Sequence, residues 1–210
     1  MSSTNDKKII TYLALGDSYT IGEQVCLTDS FPYQAIQLLR KDERAKDLAF
    51  YAPEIVAKTG WTTDELSAAI DGYKTLDQYD IVSLLIGVNN QYRGRPLDNF
   101  ETEFIALLEK AIGFSATGAA AVYVLSIPDW GVTPFAEGRD RNKIAMEIDD
   151  YNEVCERIAK KYKTNYIDIT PSQREDAEDA EFVAGDGLHP SGKEYAKWAA
   201  RFVELLMTNY

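Results

Sequence analysis

The 210-residue sequence contains one histidine, His189, two cysteines and three methionines. A multi-histidine metal site within one chain is therefore excluded, and any chemistry that needs an imidazole must use His189. Cys26 and Cys155 are too far apart in sequence to form a CxxC redox pair or a metal-ligand cluster. Two inert thiols are the plainer reading, with a disulfide between them left open. Long apolar runs are also missing. The longest, Ala119 to Leu125, falls far short of the roughly 20 residues a membrane span requires. The first residues lack the apolar core of a signal peptide, so a cytoplasmic protein is expected, with an export signal removed earlier left open. Positive charge is scarce as well: 22 basic against 34 acidic residues give a net charge of −12. That balance argues against nucleic-acid partners and against docking or stable insertion at anionic membranes. A G-x-G-x-x-G fingerprint is absent, which weighs against dinucleotide binding.

The chain shows no internal repeat, low-complexity segment or linker, and its length suits a single domain over 1–210 that buries a core without a disulfide scaffold. Short β-branched runs alternate with longer helical patterns. Strands are expected at Ile9–Leu15, Glu54–Ala57, Asp80–Ile86, Ala120–Ile127 and Tyr166–Ile169. Helices are expected from Phe31 to Arg44, Thr63 to Tyr73, Asp98 to Phe114, Lys143 to Lys163 and Ser191 to Met207. Capping boxes are read at Thr62 with Glu65 and at Ser191 with Glu194, and Asp98 with Glu101 is read as a cap. Segments 87–97 and 128–141 read as loops, 172–181 as an acidic stretch with at most one helical turn, and 175–181 as a solvated face. The alternation implies an α/β fold: a three-layer αβα sandwich around a five-stranded parallel sheet in the flavodoxin-like order 2-1-3-4-5. Such sheets hold their sites beyond the carboxyl ends of the strands, which directs attention to 16–30, 58–62, 87–97, 128–141 and 182–190.

Four of these loops carry a possible acyl-transfer set. In Gly16-Asp17-Ser18, a serine stands at the end of the first strand; taken alone, the tripeptide reads more readily as a turn whose side chains satisfy local backbone donors. In Asp186-Gly187-Leu188-His189-Pro190-Ser191, the sole histidine follows an aspartate by three residues. A serine hydroxyl needs a base to take its proton, and that base needs a carboxylate to set its tautomer; one tight D-x-x-H turn can supply both. The alternative is a surface histidine in a helix-entry loop. Backbone N–H groups of Ser18 and Gly60 and the side-chain amide of Asn89 could form an oxyanion hole, although Gly60 also reads as a turn residue and Asn89 as a loop cap.

Together, GDS at 16–18, KTGWTTDEL at 58–66, GVNN at 87–90 and DGLHPS at 186–191 resemble the blocks of the SGNH (GDSL-type) hydrolase family, in order and over nearly the whole chain. The resemblance implies a sandwich of the kind derived above, with Ser18 as nucleophile, His189 as general base and then acid, and Asp186 as its orienting carboxylate. It implies Ser18 N–H, Gly60 N–H and the Asn89 amide as oxyanion donors, and neither metal nor cofactor. Two positions depart from the family pattern. Asn90 stands where G-x-N-D is usual, which removes a carboxylate from the expected rim, and Tyr19 follows the serine where Leu or Ile is common.

The expected activity is that of a serine esterase or acylhydrolase working through an acyl-enzyme. Its small-molecule ester could be a lysophospholipid, a small aryl or alkyl ester, or an acetylated sugar. An acyltransferase with the same triad and a non-catalytic flavodoxin-like ligand-binding protein are the alternatives. Tyr19, Trp61, Tyr92 and Trp130 are the candidate substrate rim, with Phe135 beside them. Arg93 and Arg95 could meet an anionic leaving group or pair with the acidic surface. The oligomeric state is left open.

Overall fold

The computed structural model describes residues 7–176 and 179–209. The leader-region reading at residues 1–6 and part of the acidic stretch, residues 177 and 178, lie outside them. Seven strands are described: β1 (Lys8–Ile10), β2 (Tyr12–Gly16), β3 (Leu48–Phe50), β4 (Glu54–Ala57), β5 (Ile81–Leu85), β6 (Val122–Leu125) and β7 (Asn165–Ile167). Five of them form a parallel sheet in the order β4-β2-β5-β6-β7, the expected 2-1-3-4-5 arrangement. Strands β2, β5 and β6 are buried at every position, so they read in sequence as continuous apolar runs rather than alternating ones.

Where Ile9–Leu15 reads as one strand, the chain forms two. The Thr11 N–H and hydroxyl both donate to Asp80 Oδ2, at 2.9 and 3.0 Å, which takes this residue out of the ladder. The segment before it then pairs with β3 in a separate two-stranded sheet. The pairing is between distant residues, so no local pattern announces it.

Eight α-helices are described: α1 (Ser18–Ile21), α2 (Phe31–Leu39), α3 (Thr63–Gly72), α4 (Val88–Tyr92), α5 (Leu97–Gly113), α6 (Arg141–Tyr162), α7 (Thr170–Asp176) and α8 (Gly192–Thr208). Helix α3 carries the expected capping box between Thr62 and Glu65. The other two caps differ. At α5 the N-cap is Pro96, Asp98 accepts from the Asn99 N–H, and Glu101 pairs with Arg157. At α8 Ser191 caps the Lys193 N–H, but Glu194 turns inward, fully buried, and accepts from Ser172 Oγ and Trp198 Nε1. Two partners inside the fold outcompete the single helix-end donor. Helix α2 ends at Leu39, short of Arg44, and the expected 87–97 loop contains α4.

Helices α2 and α8 pack together on one side of the sheet, while α3, α5 and α6 form the other layer. The first layer is rich in aromatics. Phe202 of α8 stacks on Tyr12 at 5.5 Å and meets Tyr123 at 5.0 Å, and Trp198 lies 6.3 Å from Phe31 and 6.1 Å from Tyr19. On the other side, Ile144, Ile148, Tyr151, Cys155 and Ile158 give α6 one apolar stripe at helical spacing. Cys155 is buried there and Cys26 is exposed; both are free thiols.

Candidate active site

At the carboxyl edge of the sheet, Ser18 opens α1 immediately after β2 and is 5 % exposed. Asp17 caps this short helix, accepting from the Tyr19 N–H at 3.0 Å. The turn must be tight: a Cβ on Gly16 would lie 2.1 Å from Thr20 Oγ1 and 2.4 Å from the Leu85 carbonyl oxygen. Both readings of the Gly-Asp-Ser turn therefore hold at once, since the aspartate satisfies the backbone and the serine is presented to the cavity. Burial pushes the Asp17 carboxyl up to about 7, against the opposing effect of backbone hydrogen bonds.

The Asp-x-x-His turn lies opposite. Asp186 Oδ1 accepts the N–H groups of Leu188 and His189, each at 3.0 Å, and Oδ2 is 2.6 Å from His189 Nδ1. Partial burial would raise the Asp186 pKa, but the His189 ring, these two N–H donors and the charge interaction with His189 outweigh it and hold the carboxyl below its ordinary value. The turn is closed by Ala184 N–H donating to the His189 carbonyl at 2.7 Å, and Pro190 bridges to Val183. It follows α7 rather than a strand, so the fold reaches this edge by one more helix than the sequence pattern implies. Behind the imidazole, Tyr19 lies 5.5 Å away with its rings tilted by 58°. Tyr19 is 2 % exposed and belongs to the aromatic layer that includes Trp198. It backs the histidine and also lines the cavity beside it.

The two remaining candidate donors sit on neighbouring segments that are tied together. Gly60 has φ +84°, a left-handed conformation that side chains rarely adopt. The Asn89 amide in α4 donates to the Trp61 carbonyl at 3.0 Å and lies 3.5 Å from Asp17 Oδ2. Arg93, the C-cap of α4, donates to the Gly60 carbonyl at 2.6 Å and pairs with Glu65 at 3.2 Å. Asn90, expected at the rim, is fully buried instead: it accepts from the Thr63 N–H at 3.1 Å and donates to Thr63 Oγ1 at 2.7 Å. The Thr63 hydroxyl in turn donates to Glu103. An aspartate at 90 would compete with Glu103 for that single hydroxyl proton, whereas an amide donates and leaves it free.

Ser18, Gly60, Asn89 and His189 line one cavity of about 190 Å³, together with Tyr19, Thr59, Val88, Tyr92, Trp130, Phe135 and Leu188. No hydrogen bond joins Ser18 Oγ to the His189 ring among the described residues, a common state before substrate seats. Trp130 is 4 % exposed, and its Nε1–H donates to Gln91 Oε1 at 2.8 Å. Behind it, buried Asp129 pairs with Arg174 at 2.8 Å. Phe135 N–H donates to the Gly187 carbonyl at 2.9 Å, joining this wall to the histidine turn. Trp61 does not face the cavity; its ring packs against the core and its carbonyl holds Asn89. Arg93 and Arg95 are committed to Glu65 and Asp64, so the surface-pairing alternative is the one observed. Thr59, Val88 and Leu188 were not singled out in the sequence. Each lies inside one of the four blocks, beside a candidate site residue.

A parallel α/β sandwich with these four blocks gathered at its carboxyl edge has the architecture of the SGNH hydrolases. The chain belongs to the GDSL-like lipase/acylhydrolase family, whose profile matches residues 14–197. Its fold is similar to that of an acetylxylan esterase, Axe2, from Geobacillus stearothermophilus, with 18% identity, a TM-score of 0.72, and 96% of this chain and 95% of that chain covered. A lipase/acylhydrolase from Enterococcus faecalis matches at 19% identity and a TM-score of 0.69, covering 96% of each chain. A lipolytic G-D-S-L family protein from Veillonella parvula DSM 2008 matches at 17% identity and a TM-score of 0.69, covering 94% of this chain and 97% of that one. No curated protein sequence matches the chain significantly.

Proposed function

We propose that the protein is a serine esterase that hydrolyses carboxylic esters with short acyl groups through an acyl-enzyme. The observation that carries this reading is the shared cavity: Ser18 and His189 line it together, and His189 Nδ1 is held 2.6 Å from Asp186 Oδ2. With Nδ1–H donated to the carboxylate, Nε2 carries the lone pair that a general base needs. Ser18 Oγ attacks the ester carbonyl as its proton passes to Nε2, and the same proton then goes to the departing alcohol. Water next attacks the acyl-enzyme with His189 again as base, and the acid leaves. Negative charge on the carbonyl oxygen is met by the Ser18 and Gly60 N–H groups and the Asn89 amide, where losing one donor typically costs about 3–4 kcal/mol in the barrier. These steps need no cofactor.

Cavity size supports the short acyl group. At about 190 Å³ the cavity lies below the roughly 300–1,000 Å³ usual for ligand pockets, which suits a short acyl group better than a palmitoyl chain. The apolar side chains of Val88 and Leu188 favour an acyl chain over a charged one. The acetylxylan esterase among the similar folds acts on an acetyl ester, which agrees with this size. A series of 4-nitrophenyl esters from acetate to palmitate, run on wild type and Ser18→Ala, tests the reading. Turnover should peak at the short end in wild type and disappear in the variant. Activity rising to palmitate would sink the short-acyl assignment, and full activity in Ser18→Ala would sink the mechanism.

A further inference from the structure

The cavity has one guanidinium at its mouth with no acidic partner. Arg139 lies in the turn before α6, and its Cζ is 5.4 Å from the ring centre of Tyr92, 5.3 Å from Trp130 and 5.5 Å from Phe135. All three rings line the catalytic cavity. An arginine within about 6 Å of aromatic faces is attracted by them, and stacking leaves its in-plane N–H donors free. Its one side-chain hydrogen bond among the described residues is from Nη2 to the Tyr92 hydroxyl, at 3.3 Å. Its sequence neighbours Glu137 and Asp140 form no ion pair with it, and Asp140 instead caps the Lys143 N–H. Among the described residues, Arg139 is the arginine whose guanidinium meets neither a carboxylate nor a backbone carbonyl. Arg44, Arg93, Arg95, Arg157 and Arg174 each have one, while Arg40, Arg141 and Arg201 donate to backbone carbonyls.

We infer that the preferred ester carries an anionic group, a carboxylate or a phosphate, on its alcohol half, and that Arg139 binds it. The inference rests on the esterase reading of the same site. The small cavity beside Ser18 takes the acyl group, so the alcohol half projects towards the exposed aromatic mouth where Arg139 lies. There the fork offers two parallel N–H donors to two oxygens of one anion. The three rings hold the guanidinium in place and supply an apolar surface for the part of the alcohol between ester and anion. Arg139 thus acts on specificity and takes no part in bond making.

Matched esters test this. Phenyl acetate is compared with 4-acetoxybenzoate, and monoacetin with 1-acetylglycerol 3-phosphate, on wild type, Arg139→Gln and Arg139→Lys. The charged-to-neutral ratio of kcat/KM should fall about tenfold in Arg139→Gln, with Arg139→Lys intermediate because it keeps the charge and loses the fork. High salt should shrink the wild-type ratio as well. The pair with the larger fall identifies the anion as carboxylate or phosphate. A ratio unchanged within about twofold in Arg139→Gln overturns the inference while leaving the esterase reading intact. If wild type hydrolysed none of the four esters, binding to Ser18→Ala, followed by tryptophan fluorescence, would decide the matter separately. Tighter binding of the charged esters that is lost on adding Arg139→Gln upholds anion recognition; equal binding of charged and neutral esters overturns it.

Discussion

Asp186→Asn separates the electrostatic role of the carboxylate from its structural one. Oδ1 accepts two backbone N–H groups at 3.0 Å each, and an amide oxygen can accept the same two bonds. Oδ2 faces His189 Nδ1 at 2.6 Å, and in the variant an NH2 group stands there. Two donors cannot face each other, so the ring must present a lone pair at Nδ1 and carry its proton on Nε2. The nitrogen that should accept the Ser18 proton is then occupied. Such a tautomer reversal lowers kcat by about 10⁴, equivalent to about 5 kcal/mol in the barrier, with KM little changed. The turn should survive because its two backbone bonds remain, leaving the urea midpoint close to that of wild type at neutral pH.

Acid separates the two proteins further. The native Asp186 carboxyl titrates below its ordinary value, so its contribution to stability is complete above the unfolded pKa and is lost as pH falls through the folded one. Asp186→Asn should lack that component of the acid transition. Steady-state hydrolysis of 4-nitrophenyl acetate, paired with urea unfolding from neutral to acid pH, measures both effects. A folded variant that kept more than a tenth of wild-type kcat would refute the tautomer argument.

Two further variants address the frame around the site. Burial raises the Asp17 carboxyl from 3.8 to about 7, so the native protein holds a proton that the unfolded chain releases near pH 4. Stability should therefore fall as pH rises between about 4 and 7, by on the order of 4 kcal/mol; Asp17→Asn should remove this component, and urea midpoints that track wild type at every pH would disprove it. Trp198, fully buried between Tyr19, Phe31 and Tyr195, should cost about 3–5 kcal/mol when changed to Ala, as read from denaturant unfolding. A loss below 1 kcal/mol would show that the aromatic layer behind His189 does not carry the packing assigned to it.

The amino-acid sequence alone was enough to determine the sheet order and the blocks that meet at its edge. Buried parallel strands are continuous apolar runs, Gly16-Asp17-Ser18, Gly60 and Asn89 stand next to them along the chain, and Asp186 with His189 share one tight turn. The Thr62–Glu65 cap was legible for the same reason, because both partners lie within one helical turn. Only the tertiary structure decided the features that depend on residues distant in sequence. Thr11 leaves the ladder because Asp80 meets it, Glu194 abandons its helix end for Ser172 and Trp198, and Asn90 is buried on Thr63 rather than exposed at a rim. The same holds for the aromatic residues. Tyr19, Trp61, Tyr92 and Trp130 look alike in sequence, yet the fold sends Tyr19 behind the histidine, packs Trp61 against the core, and leaves Tyr92 and Trp130 on the wall with Arg139 over them. Local patterns record hydrophobicity, spacing and turn chemistry. Which of two competing partners a polar or aromatic side chain takes depends on what the folded chain brings within a few ångströms of it.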